Sequence, residues 1–319
     1  MSLVVITGAT GTQGGSVARQ LAKNPAWKVR GLTRNAQSTK ARELKTLGVE
    51  MVTADLNDAR TLPEAFEGAT AIFCVTFFWD IATTEGIDAA TKGELQQFIN
   101  VVQVAAKLPT LRHLVLSVMP NCETLSGGIL PCPHWDAKAR GGEYVKRELP
   151  QLAAKTTYVW MGWYVDNLAG QPLMKPQPYL GKYIIAQPSK PDAIVPVAGV
   201  VEVNTGITVQ SILAQPEKTH GKYVPKLTDL ISWTAIAEGW SKYTGETAVY
   251  AEISDSEFEK LVGPSFGPEI ARQFRFSEEY PDWYTYHPED TLSLKDLGVG
   301  EEVLGFYKGL EYFKSQIQP

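Results

Sequence analysis

Through the first half of the chain, apolar residues come in short, nearly unbroken runs, and between these runs they recur every three or four positions. The runs are L-V-V-I-T (3–7), K-V-R-G-L-T (28–33), V-E-M-V-T-A (49–54), A-I-F-C-V-T (71–76) and H-L-V-L-S-V (113–118). The periodic stretches, 16–23, 39–47, 62–66 and 93–107, are spaced as one face of a helix would be. Strands without apolar–polar alternation are covered on both faces, and strands that alternate with helices pair in parallel. An α/β fold is predicted, built on a Rossmann-type, doubly wound parallel sheet.

A sixth run, T-T-Y-V-W-M-G-W-Y (156–164), reads as one more core strand, after which the texture changes. Residues 171–200 are rich in Pro, Gly and Tyr, and helical periodicity returns over 205–213, 233–243 and 255–261. An aromatic, turn-rich stretch at 281–288 precedes a last helix near 301–315. The organisation expected is a Rossmann domain over residues 1–155 and a smaller α/β lobe over 156–319, part of which returns to the Rossmann sheet. The smaller lobe would form the substrate or partner side of a cleft.

Composition narrows the classes of function. At 319 residues, 44% of them hydrophobic and 20% charged, the chain can bury a large core. Its net charge of −5 lacks the basic footprint of direct nucleic-acid or anionic-membrane binding, and neither partner is expected. Three cysteines without a C-x-x-C pair indicate neither a disulfide framework nor a zinc cluster. The four histidines show no metal-ligand spacing, so no metal is expected, nor is a hydrolase-type nucleophile elbow. The opening apolar stretch, 3–6, is too short for a signal peptide or a membrane span. A soluble protein of the cytoplasm is expected, with entry to the nucleus left open.

Gly8, Gly11 and Gly14 stand in the spacing G-x-x-G-x-x-G between the first predicted strand and the first predicted helix. In that setting the first glycine permits a tight turn, the second lets the backbone approach a pyrophosphate, and the third lets helix and strand pack closely. The helix N-terminus behind them offers free N–H groups and the positive end of a dipole. The bland alternative is a plain strand-to-helix turn. At the end of the second strand, where an NAD site places Asp or Glu on the ribose, stands Thr33-Arg34-Asn35. Arg34 can pair with a 2′-phosphate that a carboxylate would repel, so NADP(H) is preferred to NAD(H) as the cofactor. Away from this fingerprint, Arg34 would read as a solvated surface cation.

Asp55 and Leu56 follow the third strand, and Thr76, Phe77 and Phe78 follow the fourth, at the sheet edge where ligands of such folds collect. Asp55 can accept from an adenine amino group, and Phe77 or Phe78 can wall the nicotinamide side; equally, Asp55 can cap a helix and the aromatics can be core. A glycine pattern this near the N-terminus suggests the short-chain dehydrogenase/reductase superfamily, which uses Tyr and Lys four apart. None of the thirteen tyrosines has Lys at that spacing. Instead P-H-W-D-A-K-A-R-G-G-E-Y-V (133–145) puts His134 and Lys138 four apart, on one face of a helix. Lys138 can bond nicotinamide-ribose hydroxyls and His134 can donate a proton near neutral pH. A histidine at a helix start can also be a surface or capping residue.

Together, G-A-T-G-T-Q-G-G-S-V-A-R-Q-L (8–21), V-R-G-L-T-R-N (29–35), T-F-F-W-D (76–80), H-W-D-A-K (134–138) and W-Y-V-D-N-L (163–168) resemble the NmrA-like family of atypical short-chain dehydrogenases. The resemblance extends through 227–245 and R-Q-F-R-F (272–276). It implies a Rossmann domain joined to a smaller α/β lobe with NADP(H) between them. By position, Gly8, Ala9, Thr10, Gly11, Thr12 and Gln13 would line the diphosphate and Arg34 would face the 2′-phosphate. Asp55 and Leu56 would border the adenine, and Thr76, Phe77 and Phe78 the ribose and nicotinamide. Lys138 would reach the nicotinamide ribose, with Tyr164 and Asn167 closing over that end. One departure is that Gln37, Ser38 and Thr39 delay the next basic residue to Lys40. The family divides in function. One expectation is an oxidoreductase passing hydride to a small aromatic, quinone or other carbonyl compound, with Lys138 and His134 as its catalytic residues. The alternative is a catalytically silent redox sensor, a transcriptional co-regulator acting through a protein partner.

Overall fold

The computed structural model describes residues 2–170 and 174–317. Its first six strands are β1 (Ser2–Ile6), β2 (Trp27–Thr33), β3 (Glu50–Thr53), β4 (Ala71–Cys74), β5 (His113–Val118) and β6 (Thr156–Met161). Then come β7 (Trp163–Tyr164), β8 (Gln177–Tyr179), β9 (Lys182–Gln187), β10 (Ile194–Gly199), β11 (Tyr223–Lys226), β12 (Asp229–Ser232) and β13 (Ala248–Glu252). The main sheet has the order β11-β6-β5-β4-β1-β2-β3, and every pairing in it is parallel. From β1 the chain winds outward to β3, then crosses back to β4 on the other side of β1. The crevice that receives ligands in such sheets therefore opens beyond the carboxyl ends of β1 and β4.

β4, β5 and β6 are buried at every position, because helices cover both faces; β-branched and aromatic residues fill such strands well. The first helix, Thr12–Ala22, buries small residues, Gly14, Gly15, Ser16 and Ala18, beside Val17 and Leu21. Those small side chains let the helix Val201–Ala214 approach closely. Ser16 Oγ donates to the Val203 carbonyl at 3.1 Å and accepts the Gly206 N–H at 2.8 Å. The glycine pair inside Pro133–Glu148 lowers helix propensity by roughly 1 kcal/mol per residue. At Gly141 the reason is contact, since a Cβ there would meet the Phe98 ring of the helix Ile87–Lys107 at 2.6 Å.

Beyond β6 the chain builds two three-stranded sheets, β12-β10-β7 and β13-β9-β8. Trp233, Trp240, Phe258, Phe274 and Phe306 form a second apolar core there. The helix Gly267–Glu279 gives Phe274 to this core and Phe276 to the main one, so it spans the junction of the two. Among the described residues no helix is long and apolar enough to cross a membrane.

Candidate functional site

The turn after β1 is tied to the end of β4. Thr7 Oγ1 donates to the Val75 carbonyl at 2.7 Å and accepts the Val75 N–H at 2.8 Å. Gly8 has φ +59°, and a Cβ there would press on Val75 at 3.0 Å and Phe77 at 3.1 Å. Gly14 is tighter: its Cβ would stand 2.3 Å from the Gly8 carbonyl oxygen. Ala9 is fully buried, its N–H donating to the Leu32 carbonyl at 3.2 Å, while Gly11 and Thr12 are exposed at the mouth. Gly11 is the helix N-cap, no side chain among the described residues caps that end, and the first turn holds no acidic residue. The first N–H groups are thus left for an anion, which the helix dipole favours.

Arg34 follows β2 and lies over Phe77, its guanidinium carbon 5.7 Å from the ring centre. Its Nη2 donates to Asp80 Oδ2 at 2.6 Å, with the two side chains 58% and 49% exposed. The Thr10 and Thr33 hydroxyls are 3.3 Å apart beside it. Asp55 Oδ1 accepts the Asn57 N–H at 2.9 Å, closing a local turn. Leu56 is buried, and its carbonyl accepts from Asn100 Nδ2 at 2.8 Å.

Gln13 joins three elements. Its Oε1 accepts from Ser117 Oγ at 2.7 Å, at the end of β5, and its Nε2 donates to the Tyr164 hydroxyl at 2.9 Å, in β7. Burial pushes the Tyr164 phenol well above its ordinary pKa, so it stays protonated. Asn167 opens the short helix Asn167–Gly170 just beyond.

At the end of β4, Thr76 Oγ1 donates to Glu94 Oε1 at 2.7 Å. Lys138 forms an ion pair with the same carboxylate oxygen and lies 3.4 Å from Thr76 Oγ1. Glu94 is fully buried, and its Oε2 has no hydrogen-bond partner among the described residues. The Phe77 N–H donates to Gln97 Oε1 at 3.1 Å. Phe78 is buried against Ala82, Ala90 and Ala137. One turn before Lys138, His134 Nδ1 is 2.5 Å from Glu269 Oε1, which also accepts the His134 main-chain N–H at 3.0 Å. The imidazole centre lies 5.1 Å from that of Trp79 and 5.9 Å from that of Phe78, with 13% of the side chain exposed. With Nδ1 turned to a carboxylate, Nε2 is the nitrogen left for proton exchange. The letters G-x-S-x-G do occur, at 263–267, but between the helices Asp255–Val262 and Gly267–Glu279. A nucleophile elbow needs a strand-to-helix turn, so none is formed.

The model of the NmrA-like family matches residues 1–306. The chain belongs to the NmrA-like family. This NmrA-like chain is 31% identical over 265 residues to the NmrA-like family domain-containing oxidoreductase cpsB of Aspergillus campestris, covering 78% of this chain and 75% of that one. Among solved structures it is similar to NmrA, a negative transcriptional regulator, in complex with NADP. The TM-score is 0.77 at 19% identity, over 99% of this chain and 96% of the other. It is also similar to the NADPH-dependent quinone oxidoreductase QOR2 of Escherichia coli complexed with NADPH, with a TM-score of 0.71 at 17% identity, over 98% and 99%. Those two likenesses are of fold.

Sequence reasoning missed the acidic partners in this NmrA-like chain. Glu94 left a trace: on Ile87–Lys107 it shares a buried face with Ala90, Gln97, Phe98 and Val101, a charge among mostly apolar positions. Asp80 ends the T-F-F-W-D string but carries no spacing that points to Arg34. Glu269 lies 135 residues beyond His134, with no local pattern to connect them.

Proposed function

We propose that this chain binds NADP(H) in the crevice beyond β1 and β4 and reduces a small, planar carbonyl compound of aromatic or quinone type. The observation that carries the reading is the uncapped start of Thr12–Ala22, behind a turn in which a Cβ at Gly14 would collide with the Gly8 carbonyl. Such a turn fits a diphosphate, and Arg34 beside it fits a 2′-phosphate. In this reading Gly8 through Gln13 line the diphosphate, Asp55 and Leu56 border the adenine, and Thr76 through Phe78 flank the ribose and nicotinamide. Tyr164 and Asn167 close over that end.

When bound, the dinucleotide would supply the hydride. Lys138, neutralised by Glu94, serves as a fixed hydrogen-bond donor toward ribose hydroxyls. His134, oriented by Glu269, delivers a proton from Nε2 to the developing alkoxide oxygen. Trp79, 40% exposed and packed edge-on to Phe266, offers a flat apolar wall beside it.

A second reading is favoured by the commitment of the Lys138 ammonium to Glu94 and Thr76. In it the chain holds the dinucleotide without turnover and reports its state to a protein partner. Following NADPH absorbance against quinones, aldehydes and enones separates the two. Saturable consumption that falls about a hundredfold in His134→Ala supports the enzyme. Tight binding without consumption supports the sensor, and the absence of binding sinks both.

A further inference from the structure

The cation assigned to the 2′-phosphate already holds a carboxylate of its own chain. Arg34 donates to Asp80 at 2.6 Å while its guanidinium rests over Phe77. Asp80 lies in the first turn of Phe78–Glu85, the helix that follows β4, so its backbone is anchored across the crevice from the end of β2. Half-exposed pairs of this kind are weak and exchange readily.

A guanidinium grips a phosphate through two parallel N–H bonds, and Nη2 here is spent on Asp80. A 2′-phosphate brings nearly two negative charges, so it either displaces the carboxylate or sits beside it, and both outcomes lower affinity. An unphosphorylated ribose presents neutral hydroxyls and can leave the Arg34–Asp80 pair intact.

We propose that Asp80 is a specificity-determining residue of the dinucleotide site, an internal rival of the 2′-phosphate for Arg34. It holds down affinity for NADP(H) and keeps the site receptive to NAD(H). The inference rests on the dinucleotide reading above.

Calorimetric titration of the full chain with NADPH, NADH, 2′,5′-ADP and 5′-AMP tests it. Asp80→Asn removes the charge and keeps nearly the same side-chain shape. It should tighten NADPH and 2′,5′-ADP about tenfold, the scale of one partly solvated charge beside a phosphate. NADH and 5′-AMP should stay within about twofold, well under the change expected at the phosphate. Asp80→Ser, which cannot replace the charge, should give the same shift. An unchanged ratio of NADPH to NADH affinity overturns the proposal, as does weaker NADPH binding, which would make Asp80 a support for Arg34. Arg34→Ala keeps the two ideas apart. Selective loss of NADPH in Arg34→Ala with no ratio change in Asp80→Asn removes the Asp80 proposal alone. If the wild-type chain binds neither dinucleotide, both fall.

Discussion

Glu269 Oε1 accepts the main-chain N–H of His134 at 3.0 Å and faces its Nδ1 at 2.5 Å, so one buried carboxylate oxygen fixes both the start of a helix and the ring upon it. Glu269 arrives on Gly267–Glu279, which shares its aromatic residues between the two cores. The orientation of His134 is thereby coupled to the packing of the smaller lobe.

Removing that oxygen should loosen the junction. Glu269→Ala leaves a partly buried N–H without a partner, at a cost of about 1–3 kcal/mol. Glu269→Gln retains an acceptor and should cost less. Urea denaturation of the two variants checks the order; equal stabilities would mean that the contact does not hold the lobes.

Lys138 should matter to folding as much as to chemistry. Lys138→Met strands the fully buried Glu94 without its cation, and breaking a buried pair from one side costs about 3–5 kcal/mol. Adding Glu94→Gln should recover most of that loss. If the double variant is as unstable as the single one, the ion pair is not the cause. The double variant is also the proper background for judging Lys138 in binding or turnover.

Much of the main sheet was legible because its strands are covered on both faces by helices close in sequence. The runs at 3–7, 28–33, 49–54, 71–76 and 113–118 became β1 to β5 within two residues at each end. The single run at 156–164 split instead into β6 and β7, because Gly162 lies against β10: a Cβ there would stand 2.5 Å from the Pro196 carbonyl oxygen. β10 pairs with β7 and β12, and β13 with β9, across long stretches of chain, whereas β8 and β9 form a local hairpin in text rich in Pro, Gly and Tyr; none of β8, β9, β10 and β13 was legible as a strand. The helix Gly267–Glu279 was missed entirely, and with it the partner of His134. Residue types and spacing singled out the turn after β1, Arg34, His134 and Lys138, and Glu94 left only its charge on a mostly apolar helix face, while Asp80 and Glu269 are paired by tertiary contacts that no local pattern records.

Gly14 and Gly11 should separate stability from binding. A methyl at Gly14 would stand 2.3 Å from backbone oxygen, whereas at Gly11 the nearest atom would be 3.3 Å away. Gly14→Ala should destabilise the fold by about 3 kcal/mol, the upper range of overpacking. Gly11→Ala should cost under about 1 kcal/mol, as a changed N-cap does, yet place a methyl at the mouth of the turn proposed to hold the diphosphate. Thermal denaturation beside NADPH titration checks both; a destabilised Gly11→Ala with unchanged binding would reverse the assignment.

Lys226 should give the fold a pH dependence opposite to that of a surface lysine pair. It ends β11 fully buried, its Nζ donating to the Ala198 carbonyl at 3.0 Å. Burial pushes its pKa down from 10.5 to about 7, with Asp166 opposing the shift. Between those values the unfolded chain carries the proton and the folded one does not, so stability rises with pH across that window. The contribution is complete above about pH 10.5, is lost progressively as pH falls to about 7, and is flat below. Lys226→Met removes this dependence, and the Ala198 carbonyl still accepts from Asn204 Nδ2 at 3.1 Å. The stability of the variant relative to wild type should therefore grow as pH is lowered from about 10 to about 7. Losing the amine beside Asp166 shifts the whole comparison but not its slope in this range. Urea denaturation of both proteins at intervals across the window measures that slope, and parallel curves would show that Lys226 stays charged within the fold.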